Sequence, residues 1–185
     1  MTVSLQLVTN AIVIVALVAF VGYRQMTWRA VDPGRMWRLP AILAIVGLVT
    51  LGSMTKVATL TGTDIAVLCG ELVISLALGA AMGAIARFRP MTADGIRLYR
   101  DAHANDRRPS MAPVTLETRT GWVGLALWVV LIAVRIGIDA LANLAGSHLA
   151  ASTGVILLMV AANRLARVGV ILYRAGRVPA EPVRI

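Results

Sequence analysis

Five long apolar runs, at 5–23, 39–61, 64–86, 122–146 and 149–173, alternate with polar stretches that carry nearly all of the arginine. An α-helix needs ~20 apolar residues to cross the hydrocarbon core of a bilayer, and each run is about that long. The pattern predicts an all-α membrane protein, a single integral domain over 1–185 with five transmembrane helices in one bundle. A four-span alternative keeps the first segment, or the 164–173 end of the last one, in the interface. The Thr61-Gly62-Thr63 turn leads directly from the second run to the third, so these two are expected as antiparallel neighbours.

The polar stretches set the topology. The 24–38 loop holds four arginines against Asp32, with Trp28 and Trp37 placed for headgroup level and a turn signal at Asp32-Pro33-Gly34. It reads as a solvated basic loop facing lipid. The 87–120 loop holds seven arginines and four acids. Its prolines at 90, 109 and 113 argue against one continuous helix. Asp94-Gly95, between short apolar runs at 88–91 and 96–99, is a hairpin-type turn signal, and 101–113 reads as flexible loop. The tail, 174–185, has two prolines and no apolar face, and reads as mobile. Both basic loops and the tail fall on one side of a five-span bundle. The positive-inside rule then places the N-terminus outside and the C-terminus in the cytoplasm.

Composition agrees with the hydropathy pattern. The chain is 58% hydrophobic and 15% charged, with a mean hydropathy of +0.80. Of its 18 basic residues only Lys56 is a lysine, and this Arg- and Ala-rich usage suggests a high-GC bacterial genome, so the expected location is a bacterial inner membrane. The formal charge of +9 would ordinarily suggest nucleic acid. Topology accounts for it here, and the implied partner is anionic lipid at the cytoplasmic face. Cys69 is the single cysteine, which excludes an internal disulfide and a thiolate metal site, and it reads as core packing. No positive region precedes the first run, against a cleaved signal peptide. No catalytic triad, phosphate-cradling glycine loop or metal-ligand cluster is visible, and no cofactor is implied.

The candidate chemistry lies in the charges within the apolar runs. Arg135 and Asp139 stand four residues apart and so share one helix face, with Gly124, Trp128, Leu131, Ala142 and Gly146 on that face too. Counting ~1.5 Å per residue puts Glu71, Arg135 and Arg164 near the midplane, and Lys56 and Asp139 toward the outer face. Arg135 is therefore expected to pair with Glu71, with Asp139 holding it from above. The set is either a staple that fixes helix register or the lining of an outward-opening polar pocket, since ionisable groups at that depth must have partners. Ser75, Gly79 and Gly83 recur every four residues, a strip of small residues that lets another helix approach closely.

An Arg24-Gln25-x-x-x-Arg29 loop leads to Arg38-Leu39-Pro40 at the head of the second run. Gly79-x-x-x-Gly83 closes the third, Thr92-Ala93-Asp94-Gly95-Ile96-x-x-Tyr99-Arg100 follows, and Trp128 to Arg135 lies in the fourth. Over 24–137 this order resembles the CcdC-like family of small bacterial integral membrane proteins. The resemblance implies a helical membrane fold and, through the family name, an association with cytochrome c maturation genes. The residues add no haem chemistry to that: Cys-x-x-Cys-His is absent, and His103 and His148 fall on opposite sides of the expected bundle. Three functions stay open: an accessory or scaffold protein binding a membrane partner, another copy of itself or lipid; a transport or sensing module; and an enzyme acting on a lipid-soluble substrate.

Overall fold

The computed structural model describes residues 19–20, 22–55, 61–105, 114–144 and 152–178. The expected first span, the 106–113 loop and the turn holding His148 lie outside or almost wholly outside them. The described chain is mostly helical, and four helices are long and apolar enough to cross a membrane. In chain order the elements are β1 (Arg29–Ala30), α1 (Pro33–Met36), α2 (Arg38–Thr55), α3 (Gly62–Ala84), β2 (Arg87–Pro90), α4 (Ala93–Ala102), β3 (Leu116–Arg119), α5 (Gly121–Leu144) and α6 (Thr153–Ala175). The long helices are α2, α3, α5 and α6.

Local chemistry starts each element where it does. Asp32 caps α1, accepting from the Gly34 amide at 2.9 Å, with Pro33 in the first turn where its missing N–H costs nothing. Thr61 and Asp64 form a reciprocal capping box at the head of α3: the Thr61 hydroxyl accepts from the Asp64 amide, and the Asp64 carboxylate accepts from the Thr61 amide at 3.0 Å. Ser152 caps α6 through the Val155 amide. Gly121, with φ at 66°, makes the left-handed turn that swings the chain from β3 into α5.

The C-terminal helix is the hub. Both α2 and α3 pack extensively along α6 and far less on each other, which corrects the expectation that the second and third runs are direct neighbours. The reason is side-chain size. On α2, a Cβ added at Gly47 would meet the Leu158 amide at 2.9 Å, and one at Gly154 of α6 would meet the Leu51 amide at 2.8 Å. Two glycines thus face each other across that contact. On α3, Ser75, Gly79 and Gly83 are all buried. A Cβ at Gly79 would run into the backbone of Asn163, and one at Gly83 would sit 2.9 Å from the Arg167 carbonyl. Close backbone approach drives helix association where lipid removes any hydrophobic difference between contact and exposure. The run carrying Arg135 is peripheral by comparison: α5 packs on α3 less extensively than α6 does and is exposed along much of its length. Cys69 is exposed on α3, correcting its reading as core.

A small three-stranded antiparallel sheet, order β1-β3-β2, closes one end of the bundle. Its register sets Arg29 opposite Thr118, Phe88 opposite Thr118 on the other side, and Arg89 opposite Glu117. Val31, Ala86 and Ile171 form the buried core beneath it, with Met36, Phe88, Leu116, Leu172 and Ala175 packed around them. The segment read as a solvated 24–38 loop is therefore structural, with Gln25, Val31 and Asp32 buried.

The hairpin expected at Asp94-Gly95 does not form. Thr92 caps a helix there by accepting from the Gly95 amide, so Asp94 and Gly95 lie in the first turn of α4, and β2 pairs with the distant β3. An acid in a first turn complements the helix dipole, and that outcome competes with the hairpin reading of the same dipeptide. The start of the expected mobile tail is also fixed. Arg174 belongs to α6, and its guanidinium donates to the Gly83, Ala84 and Ala86 carbonyls at the end of α3.

Candidate functional site

Two polar sites are held by these helices. The first lies inside the bundle between α3 and α5. Glu71 is 2% exposed, and its carboxylate accepts from the Arg135 guanidinium, whose side chain is 20% exposed. Ile74, Ser75, Leu131, Val134 and Ile138 complete a crevice around the pair. The crevice is partly open, and its volume of about 20 Å³ takes about one water molecule. Lys56 and the side chain of Asp139 lie outside the described residues.

Arg164 does not join this pair. Its neighbour Asn163 donates to the Ser75 carbonyl at 3.0 Å and packs its backbone on Gly79. Gly79 is eight residues along α3 from Glu71, which is ~12 Å further toward the sheet. Helix α6 starts at Thr153 and runs on into the sheet core, which sets Arg164 nearer the sheet than Glu71.

The second site lies where the helices meet the sheet. Arg167 donates to the Thr120 hydroxyl at 3.1 Å, Thr120 donates to Gln25 Oε1 at 2.6 Å, and Gln25 Nε2 donates to the Gly124 carbonyl at 3.2 Å. Gln25 and Thr120 are 5% and 8% exposed, so these bonds form in a region of low dielectric where they are strong. A Cβ at Gly124 would occupy the space of the Gln25 amide, which explains the glycine. The charges acting on Arg164 and Arg167 from outside α6 are Arg24 and Arg29. Burial, and then the charge of Arg24, pushes the Arg29 guanidinium below its ordinary pKa.

On the outer side of the sheet, Trp28 lies under two guanidinium groups, with Arg89 at 4.2 Å and Arg119 at 5.0 Å from its ring centre. Arg89 also pairs with Glu117 across the strands. Asp32 is a buried hub: besides capping α1 it pairs with Arg35 at 3.3 Å and accepts from the Tyr99 hydroxyl at 2.8 Å. Burial, and then the bond and charge of Asp32, raises the Tyr99 phenol to about 12. Among the described residues no group of His, Cys, Asp and Glu is arranged to hold a metal ion.

Sequence reasoning missed the Gln25–Thr120–Arg167 relay, the Gly47–Gly154 contact and the Arg174 cap. Each joins residues far apart in the chain, and no periodicity within one run signals it. The fold and its polar sites define a mostly helical chain compatible with a multi-pass membrane protein, capped by a small sheet. No family model, curated protein or solved structure matches it.

Proposed function

We propose that this chain is an accessory or scaffold protein of the bacterial inner membrane, of the CcdC-like kind, with its basic sheet end as the working surface. The reading takes the 5–23 run as a fifth span, with the N-terminus outside and the sheet, the 87–120 segment and the tail in the cytoplasm. It follows the arginine distribution: basic residues crowd the sheet end, and the turns at the opposite end hold none. On this reading the partner is a membrane protein, a second copy of the chain, or anionic lipid.

The observation that carries the proposal is the contrast between the two polar sites. Inside the bundle, Glu71 and Arg135 are engaged with each other around a crevice of one-water size. At the sheet end, Arg24, Arg29 and Arg164 are near enough for their like charges to act on one another. A pair bound to itself fixes register, whereas clustered like charges are suited to binding something else.

A transport or sensing module remains the second reading, because the crevice is lined by an acid and a base. The two separate by thiol labelling. Leu131→Cys, in a Cys69→Ser background and reconstituted in vesicles, is expected to resist a membrane-impermeant maleimide from both sides. Fast labelling from either side would mean a water-filled path to Glu71 and would favour transport.

A further inference from the structure

Arg24, Arg29, Arg164 and Arg167 come from three parts of the chain and converge at one place. Arg24 lies in the short helical stretch before the sheet, Arg29 lies on β1, and Arg164 and Arg167 stand three apart on α6, hence on one face. Each acts electrostatically on others of the group. Among the described residues none of the four has a carboxylate partner. The acids that pair with arginine are committed elsewhere, Asp32 to Arg35, Glu117 to Arg89 and Glu71 to Arg135.

Arg24 and Arg167 are half-buried and Arg29 and Arg164 are exposed, so part of the set is withdrawn from water and its like charges repel one another more than they would in bulk solvent. An anion among them would relieve that repulsion. The bonding beneath favours an anion with several acceptor oxygens. Gln25 must present its oxygen to Thr120, because its amide nitrogen is spent on the Gly124 carbonyl. Thr120 in turn directs its lone pair to Arg167, which fixes that guanidinium while leaving further N–H groups to donate. Planar guanidinium forks match phosphate oxygens in pairs.

Depth identifies the source of the phosphate. Thr120 immediately precedes α5, so Arg167 is level with the end of an apolar helix, and Arg164 is about one turn inside it. Lipid phosphates lie at that level. We infer that Arg24, Arg29, Arg164 and Arg167, floored by Gln25 and Thr120, form a binding site for the phosphate headgroup of an anionic phospholipid. The inference rests on the membrane placement above and sharpens its lipid arm.

The test uses the full chain, purified in detergent and stripped of lipid. Phosphatidylglycerol, phosphatidylcholine and inorganic phosphate are titrated separately, with bound species read by native mass spectrometry. Phosphatidylglycerol should bind at least about tenfold tighter than phosphatidylcholine, the scale of one or more productive charge contacts. Arg164→Gln with Arg167→Gln should weaken it about thirtyfold. Arg97→Gln with Arg100→Gln removes the same charge from the exposed face of α4 and should change it less than about twofold. Equal loss in both double variants, or no preference over phosphatidylcholine, would overturn the site. Inorganic phosphate that binds more tightly and displaces the lipid would overturn the headgroup assignment.

A melting curve keeps the test independent of folding defects. Arg164→Gln should raise the melting temperature of the stripped protein, by relieving repulsion, and abolish the rise that phosphatidylglycerol gives the wild type. A lower melting temperature would mark Arg164 as a structural element and sink the proposal. Failure here leaves the scaffold reading standing or falling on labelling at Leu131, which none of these arginines touches.

Discussion

Helix α3 makes two contacts of opposite kinds. Toward α6 it presents Ser75, Gly79 and Gly83, and the backbones come so close that no Cβ fits at either glycine without a shift. Toward α5 it presents Glu71, and the contact turns on one ion pair beside a small crevice. The first interface is held by dispersion between close surfaces, with side-chain bonds from Asn163 along it and from Arg174 at its end. The second is held by charge. Close packing tolerates no added atoms, whereas a charge pair tolerates no lost partner.

Substitutions can break that contrast in a graded way. Gly79→Leu should have the largest effect, loss of the assembled fold in detergent, because its Cβ would coincide with the Asn163 backbone, which cannot rotate away as a side chain could. Gly83→Leu should be milder, ~1–3 kcal/mol or somewhat more, since part of what it meets is the Val170 side chain. Ala84→Leu, on the exposed face one residue on, is the matched control and should leave the melting temperature nearly unchanged. Equal melting temperatures for the Gly83 and Ala84 variants would remove the case for close packing.

Smaller effects sharpen the comparison. Asn163→Ala deletes the bond to the Ser75 carbonyl but keeps the glycine contact, so it should cost only about 1 kcal/mol. A loss as large as that of Gly83→Leu would transfer the interface from packing to polar bonding. The smallest effect lies outside the bundle, at Tyr99. Its phenol, raised to about 12, holds its proton in the fold at pH values where an unfolded tyrosine, near ~10, has begun to lose it. The stabilisation is complete below pH ~10 and is lost as pH rises toward 12. Absorbance at high pH should show one of the three tyrosines titrating late, and Tyr99→Phe should remove that phase. Three tyrosines titrating together would contradict the buried bond to Asp32.

Legibility in the sequence followed the range of the interactions. Apolar length located α2, α3, α5 and α6 to within a few residues at most ends, because crossing a bilayer constrains length and composition locally. The small-residue strip on α3 was visible for the same reason: it repeats within one helix. Its partner was not, since nothing in a single helix says which other helix it meets. The short turn at 61–63 favoured α2, while the structure gives α3 to α6. Likewise Asp94-Gly95 carries two local meanings, and Thr92 decided for the helix cap.

The claim that most needs testing is that Glu71 and Arg135 form a structural staple. Glu71→Gln, Arg135→Gln and the double variant should be compared by thermal melting in detergent. Either single change removes one partner of a buried charge pair and should cost ~3–5 kcal/mol, and the double variant should recover a large part of that loss. Additive losses, with the double variant less stable than either single one, would contradict the staple and separate the two residues energetically.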